Sequence, residues 1–178
     1  LEVIPCESYN HNTSYTLTVA PSPNLPNMRA IYLYPSLCFF EGTVFSVGRG
    51  TTTPFQVLGH PKSTMGDFTF TPRPGFGAAE PLLNGQLCQG LDFSSKSPEQ
   101  LRAEKHLNLT YLLNVYRDFK DKKSFFLSTG FIDKLAGTKT LRRQIEQGLS
   151  EAEIRASWQA DLENYQHIRN KYTIYGSH

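Results

Sequence analysis

The sequence predicts an α+β domain in which a mixed sheet built from the N-terminal half is covered by C-terminal helices. Three observations carry this. Prolines and glycines concentrate before about Asp92 and separate short β-leaning runs; helical periodicity takes over from about Pro98; and no repeat, low-complexity tract or flexible linker divides the 178 residues, so residues 1–178 read as a single domain. With 39% hydrophobic and 12% aromatic residues the chain can form a globular core. A chain of this length buries roughly two-thirds of its unfolded surface.

In chain order, the candidate strands are Leu1–Ile4, Tyr15–Val19, Val44–Val47, Phe55–Leu58, Phe68–Thr71 and Leu87–Phe93, bounded by turn signals such as Pro21-Ser22-Pro23-Asn24 and Arg73-Pro74-Gly75. Phe68 and Phe70 alternate as in a half-buried strand. Between the second and third runs, Ile31, Leu33, Tyr34, Leu37, Cys38 and Phe40 follow a helical period, which predicts a helix over Met28–Phe40 with Pro35 near a kink. Further on, Leu109, Leu112, Leu113, Tyr116 and Phe119 draw one apolar stripe on a helix of roughly 11 to 13 residues and read as core. Thr138–Gln147 forms a shorter helix with Leu141 and Ile145 inward, closed by Gly148. Ser150-Glu151-Ala152-Glu153 has the pattern of a capping box. It opens a final helix to about Asn170 whose inner face is Ile154, Trp158, Leu162, Tyr165 and Ile168.

Composition excludes several function classes. Lys+Arg number 18 against 16 Asp+Glu, a net charge of +2, too little to track a phosphate backbone, so nucleic acid is not the expected partner. No apolar stretch approaches the ~20 residues of a membrane-spanning helix; the longest, around Ala30–Phe40, is broken by Pro35 and Ser36, and a soluble domain is expected. Cys6, Cys38 and Cys88 fit neither a disulfide framework nor a zinc-ligand spacing and read as buried free thiols. The chain opens on Leu1 with no initiator Met and no signal-peptide pattern, and reads as cut from a longer protein.

The densest polar cluster runs from Phe40 to Phe55. Gly42, Gly48 and Gly50 allow tight turns or a close approach to a ligand, while Glu41, Ser46, Arg49 and the threonines, Thr51 among them, supply donors and acceptors for a small polar ligand. A phosphate loop is excluded, since no lysine follows the glycines and a strand rather than a helix is expected next. The architectural alternative is a Glu41–Arg49 ion pair joining two loops. His60, before Pro61, sits in a loop, and Asn24, between prolines, either makes a turn or presents its amide to a sugar. Glu41, Asp67, Glu80 and Asp92 are scattered, and no spacing fixes two of them as an acid–base pair. No serine-nucleophile elbow, metal-ligand motif or nucleophilic cysteine signature is present, and neither metal nor cofactor is expected.

Three strings together are specific: Pro21-Ser22-Pro23-Asn24-Leu25-Pro26, then Ile31-Tyr32-Leu33-Tyr34-Pro35-Ser36-Leu37-Cys38-Phe39-Phe40-Glu41-Gly42-Thr43, then Ser46-Val47-Gly48-Arg49-Gly50-Thr51 with Pro54-Phe55-Gln56. With Ile145-Glu146-Gln147-Gly148, Trp158 and Arg169-Asn170-Lys171-Tyr172 at the tail, the chain resembles the C-terminal domain of the NamZ-type exo-β-N-acetylmuramidases along essentially its whole length. Members of that family begin with a Rossmann-like domain that contains the proposed catalytic centre, and that domain is absent from this chain.

The resemblance implies a bacterial glycoside hydrolase that releases N-acetylmuramic acid from the non-reducing end of peptidoglycan fragments, exported to the periplasm or outside the cell. It also implies a partner in the N-terminal domain of the same protein, with the sugar cleft between the two. The catalytic residues are then expected in that first domain, Glu41 being the one residue here that would contribute to catalysis. The substrate-binding candidates are Arg49 and Glu41 first, then Ser46, Asn24, Thr51 and His60. In this reading Arg49 meets the lactyl carboxylate of muramic acid and Glu41 orients it. The alternative is a non-catalytic carbohydrate-binding or protein-interaction module.

Overall fold

The computed structural model describes residues 2–10 and 12–174. The chain forms two compact units, one of Leu17–Glu151 and one of Leu1–Thr16 with Ala152–His178.

The larger unit begins with α1 (Met28–Leu37). Asn27, in extended backbone, starts it by accepting the Ala30 amide at 3.0 Å, and Ala30, Leu33, Ser36 and Leu37 form the buried face. Pro35 removes a backbone donor, and after Leu37 the chain tightens into a 3₁₀ turn, Cys38–Gly42. The expected helix over Met28–Phe40 is therefore present, with its last turn wound differently.

The sheet has three strands, β1 (Val57–His60), β2 (Phe68–Phe70) and β3 (Cys88–Asp92), in the order β1-β3-β2. Both pairings are antiparallel, with Gly59 opposite Gly90 and Phe68 also opposite Gly90, so the α+β class holds while the sheet is antiparallel where a mixed one was expected. Every residue of β1 is buried, which is why no alternation marks it in the sequence. In β2 the two phenylalanines share a face, ring centres 6.1 Å apart, and that face is largely open: Phe68 is 37% exposed.

The other three expected strands do not form. Val44–Val47 fails because its hydrogen bonds go to two different neighbours: the Val44 amide to the Phe125 carbonyl at 3.0 Å, and Ser46 to Gly59 through a single bridge. Tyr15–Val19 is exposed throughout and has no ladder partner among the described residues. Glu2–Ile4 is likewise exposed and non-strand, and Leu1 lies outside the described residues.

Helices follow the sheet. They are α2 (Pro98–Glu104), α3 (Thr110–Asp118), α4 (Lys122–Phe125), α5 (Phe131–Ala136) and α6 (Thr140–Glu146). A capping box that the sequence reading missed opens α2: Ser97 Oγ accepts the Gln100 amide at 3.2 Å, and Gln100 returns an acceptor to the Ser97 amide at 2.8 Å. The predicted stripe on α3 is core, with Leu109, Leu112 and Phe119 buried and Leu113 and Tyr116 half-buried, although the helix is shorter than expected at 9 residues. Leu141 and Ile145 of α6 point inward, and Gly148 takes φ 78° after it, both as predicted. Behind the glycine-rich segment, Phe45 packs against Phe40, Phe119, Phe125 and the His60 ring at centre distances of 5.1 to 6.3 Å.

The single final helix expected from Ser150 to Asn170 is broken into α7 (Glu151–Ala156) and α8 (Gln159–Arg169). At the break the Ser157 hydroxyl takes the Ile154 carbonyl at 2.7 Å and the Trp158 amide takes that of Arg155 at 3.1 Å, i−3 contacts that overwind the turn. Its predicted inner face is not continuous core. Ile154 is fully buried and Trp158 half-buried, whereas Leu162, Tyr165 and Ile168 are 53%, 60% and 54% exposed.

Candidate functional site

Two segments carry the site. The first is the 3₁₀ turn ending at Glu41-Gly42. Gly42 is needed there because a Cβ would lie 2.5 Å from the Ile132 backbone nitrogen, and its carbonyl receives the Leu127 amide at 3.0 Å, which straps Glu41 to the 125–127 segment. The second is the turn around Arg49. Gly48 and Gly50 both adopt φ 79°, a left-handed conformation that bends the chain sharply on each side of Arg49. Thr51 closes this turn, its Oγ1 donating to the Gly48 carbonyl at 2.7 Å and accepting the Thr53 amide at 3.1 Å.

The segments meet through Glu41 and Arg49. Arg49 Nη2 and Nε donate to the same oxygen, Glu41 Oε1, at 2.7 and 3.1 Å. Beneath them lies Phe55, whose ring centre is 5.2 Å from the guanidinium carbon and 5.0 Å from the edge-on Tyr34 ring. Phe55 itself has φ 54°, an uncommon conformation for a non-glycine residue, held by the bond from its amide to the Val47 carbonyl at 2.7 Å. This arrangement leaves Arg49 Nη1 and Glu41 Oε2 with no hydrogen-bond partner among the described residues. The side chains are 38% and 21% exposed, so neither is closed off from solvent.

Both side chains line a pocket of about 170 Å³, together with Ser46 and the apolar Phe45, Val47, Leu82 and Leu127. Ser46 is buried with its Oγ accepting the Gly48 amide at 3.2 Å. Nearby, burial and then the Glu41 charge push the Cys38 thiol up to about 11, which favours the protonated thiol at neutral pH. All three cysteines are free thiols, but only Cys88 is fully buried; Cys6 is exposed and Cys38 half-buried. Among the described residues no three His, Cys, Asp or Glu side chains converge as a metal site, and no helix is long and apolar enough to cross a membrane.

The remaining candidates lie elsewhere. Asn24 is buried and its Nδ2 donates to the Gly77 carbonyl at 2.7 Å, which pins the turn that presents Phe76, 94% exposed. His60, expected in a loop, is instead the last residue of β1, paired with Gln89, and stands behind Phe45. Its Nδ1 accepts the Lys62 amide at 3.0 Å, its ring lies edge-on to Phe119 at 5.1 Å, and burial followed by the Lys62 charge holds its pKa below the ordinary value. Neither residue lines the pocket.

Residues 32–175 match the family described as Exo-beta-N-acetylmuramidase NamZ, C-terminal. The chain belongs to that family. It is 36% identical over 168 residues to the peptidoglycan beta-N-acetylmuramidase NamZ of Bacillus subtilis, an alignment covering 88% of this chain and 40% of that protein. Of solved structures, a DUF1343 family protein of Bacteroides fragilis superposes with a TM-score of 0.91 at 46% identity over 99% of this chain and 49% of its own. A second DUF1343 protein of that organism, at 17% identity and a TM-score of 0.57, over 89% of this chain and 45% of its own, shares the fold. The NamZ C-terminal domain described here thus spans less than half the length of these relatives.

Five members of this site were missed in the sequence: Phe45 and Val47, which line the pocket from within the polar cluster, and Leu82, Leu127 and Phe55. Leu82 and Leu127 wall the pocket from far along the chain, and nothing local marks either. Phe55 lay inside the quoted string, but a positive φ on a phenylalanine leaves no trace in composition.

Proposed function

We propose that this domain forms part of the substrate cleft of an exo-β-N-acetylmuramidase, a glycoside hydrolase that removes terminal N-acetylmuramic acid from peptidoglycan fragments. The observation that carries the reading is the pairing, in one pocket, of a half-committed guanidinium with an apolar wall. A lactyl ether presents a carboxylate and a methyl group side by side. Arg49 Nη1 is a free donor for the first, while Val47, Leu82 and Leu127 offer contact to the second, and Glu41 Oε2 is left to accept a sugar hydroxyl or amide. The proposal extends to location: the full-length protein acts on this substrate in the periplasm or outside a bacterial cell. Family membership and the B. subtilis relative support the reaction class.

The test is kcat/KM of the full-length protein on a muramic acid glycoside and on its N-acetylglucosamine analogue. Arg49→Ala is expected to cost about 2 to 5 kcal/mol on the muramic acid substrate only, and Arg49→Lys, which keeps the charge but loses the fork, part of that. Because both donors now engaged go to Glu41, an architectural ion pair is the competing reading. Equal loss on both substrates, or loss of folding, would establish it instead.

A further inference from the structure

A second and larger hollow opens on the other side of Leu127, which lines both. It encloses about 640 Å³ between α4, the 126–130 turn, α5 and α6. Its charges are lopsided: Lys122, Lys123, Lys134, Lys139 and Arg142 face only Asp133 and Glu146. Two of the cations are committed. Lys122 Nζ donates to the carbonyls of Tyr116, Arg117 and Phe119, and Arg142 grips Asp133 through Nε–Oδ1 and Nη2–Oδ2 bonds of 3.0 Å each. Lys123, Lys134 and Lys139 are exposed and make no side-chain hydrogen bond or ion pair with another described residue. In a chain whose net charge is only +2, this groove concentrates uncompensated positive charge in a concave surface, where field lines are focused.

We infer that the groove holds an anionic saccharide strand as it leaves the Glu41–Arg49 pocket, its three free lysines meeting the lactyl carboxylates of muramic acid residues beyond the terminal one. This rests on the muramic acid reading of the pocket. An enzyme that takes one sugar from a chain end must leave the rest of the chain on its surface, and the groove adjoins the pocket across one shared lining residue, Leu127. The groove has nearly four times the pocket's volume, which gives room for more than one sugar. Lysines on flexible stems, rather than fixed arginine forks, suit carboxylates that arrive at intervals along a strand.

The test compares two probes on the full-length protein: the muramic acid–glucosamine disaccharide, which carries a single lactyl carboxylate, and peptide-free glycan strands of several repeats. Equilibrium binding and initial-rate kcat/KM are measured for wild type and for Lys123→Gln/Lys134→Gln/Lys139→Gln, at low and high ionic strength. Each exposed ion pair is worth about two- to threefold, so wild type should favour strands over the disaccharide by about tenfold at low salt. The triple variant should lose that preference while keeping the wild-type values on the disaccharide, and high salt should erase it in wild type. A triple variant that still prefers strands, or a wild type that never did, overturns the inference. Failure of wild type to release muramic acid from the disaccharide refutes the reading of the pocket, and the strand-binding comparison still decides the groove.

Discussion

Gly50 has the least freedom of any residue in the site. Its φ is 79°, and a Cβ there would stand 2.4 Å from the Arg73 carbonyl oxygen, whose own residue donates its amide back to Gly50. Gly50→Ala therefore adds left-handed strain to a backbone collision, and it should lower stability by roughly 2 kcal/mol or more in chemical denaturation. His60 makes a different prediction. Burial and Lys62 lower its pKa from the usual 6.5, so the unfolded chain binds the proton more readily than the folded one. Its contribution to stability is complete above about 6.5 and is lost as pH falls from there towards the lowered folded value. Urea midpoints measured across that range should fall less steeply in His60→Asn, which retains an acceptor for the Lys62 amide but cannot titrate. An unchanged slope would place the acid sensitivity elsewhere. At this scale the sequence was informative about residue type and poor about position. It put Arg49 and Glu41 first, and these share one pocket with Ser46, but it also named Asn24, Thr51 and His60, which are tied to backbone segments and do not line it.

Among elements, the C-terminal helices show where periodicity stops being sufficient. Ile154 and Trp158 occupy equivalent places in the apolar pattern, yet the first is fully buried and the second only half. Ile154→Ala should cost about 2 to 5 kcal/mol and Trp158→Ala less than about 2, the reverse of what ring size alone would suggest. Denaturation midpoints of the two variants decide it, and a larger loss for Trp158 would mean that the ring carries more of the packing than its exposure allows. Helices with a full stripe, such as α3, were legible because one buried face is all that a helix needs to declare itself. Strands were less so. β1 is buried on both faces, and Val44–Val47 has strand composition but shares its hydrogen bonds between two neighbours, a matter of tertiary position that no local pattern encodes.

For the molecule as a whole, catalysis by general acid and base needs two carboxyl groups about a bond region, and the pocket has one, already bonded to Arg49. On the proposed function, the 178-residue chain alone should release no N-acetylmuramic acid from the disaccharide, whereas the full-length protein should; turnover by the chain above that of an Arg49→Ala control would show that the chemistry resides in this domain. The α+β class, the helix at Met28, the stripe of α3, the Gly148 stop and the family itself were all readable from the residues in order, because each depends on local periodicity, turn chemistry or contiguous motifs. What the tertiary structure decided depends on residues distant in the chain: Leu82 and Leu127 closing a pocket around Arg49, the strap from Leu127 to Gly42, and the lysines from residues 122 to 139 gathered round one hollow. Local sequence specifies which way a segment turns, but a site's walls are set by which segments pack together, and that is fixed by the burial of the whole core.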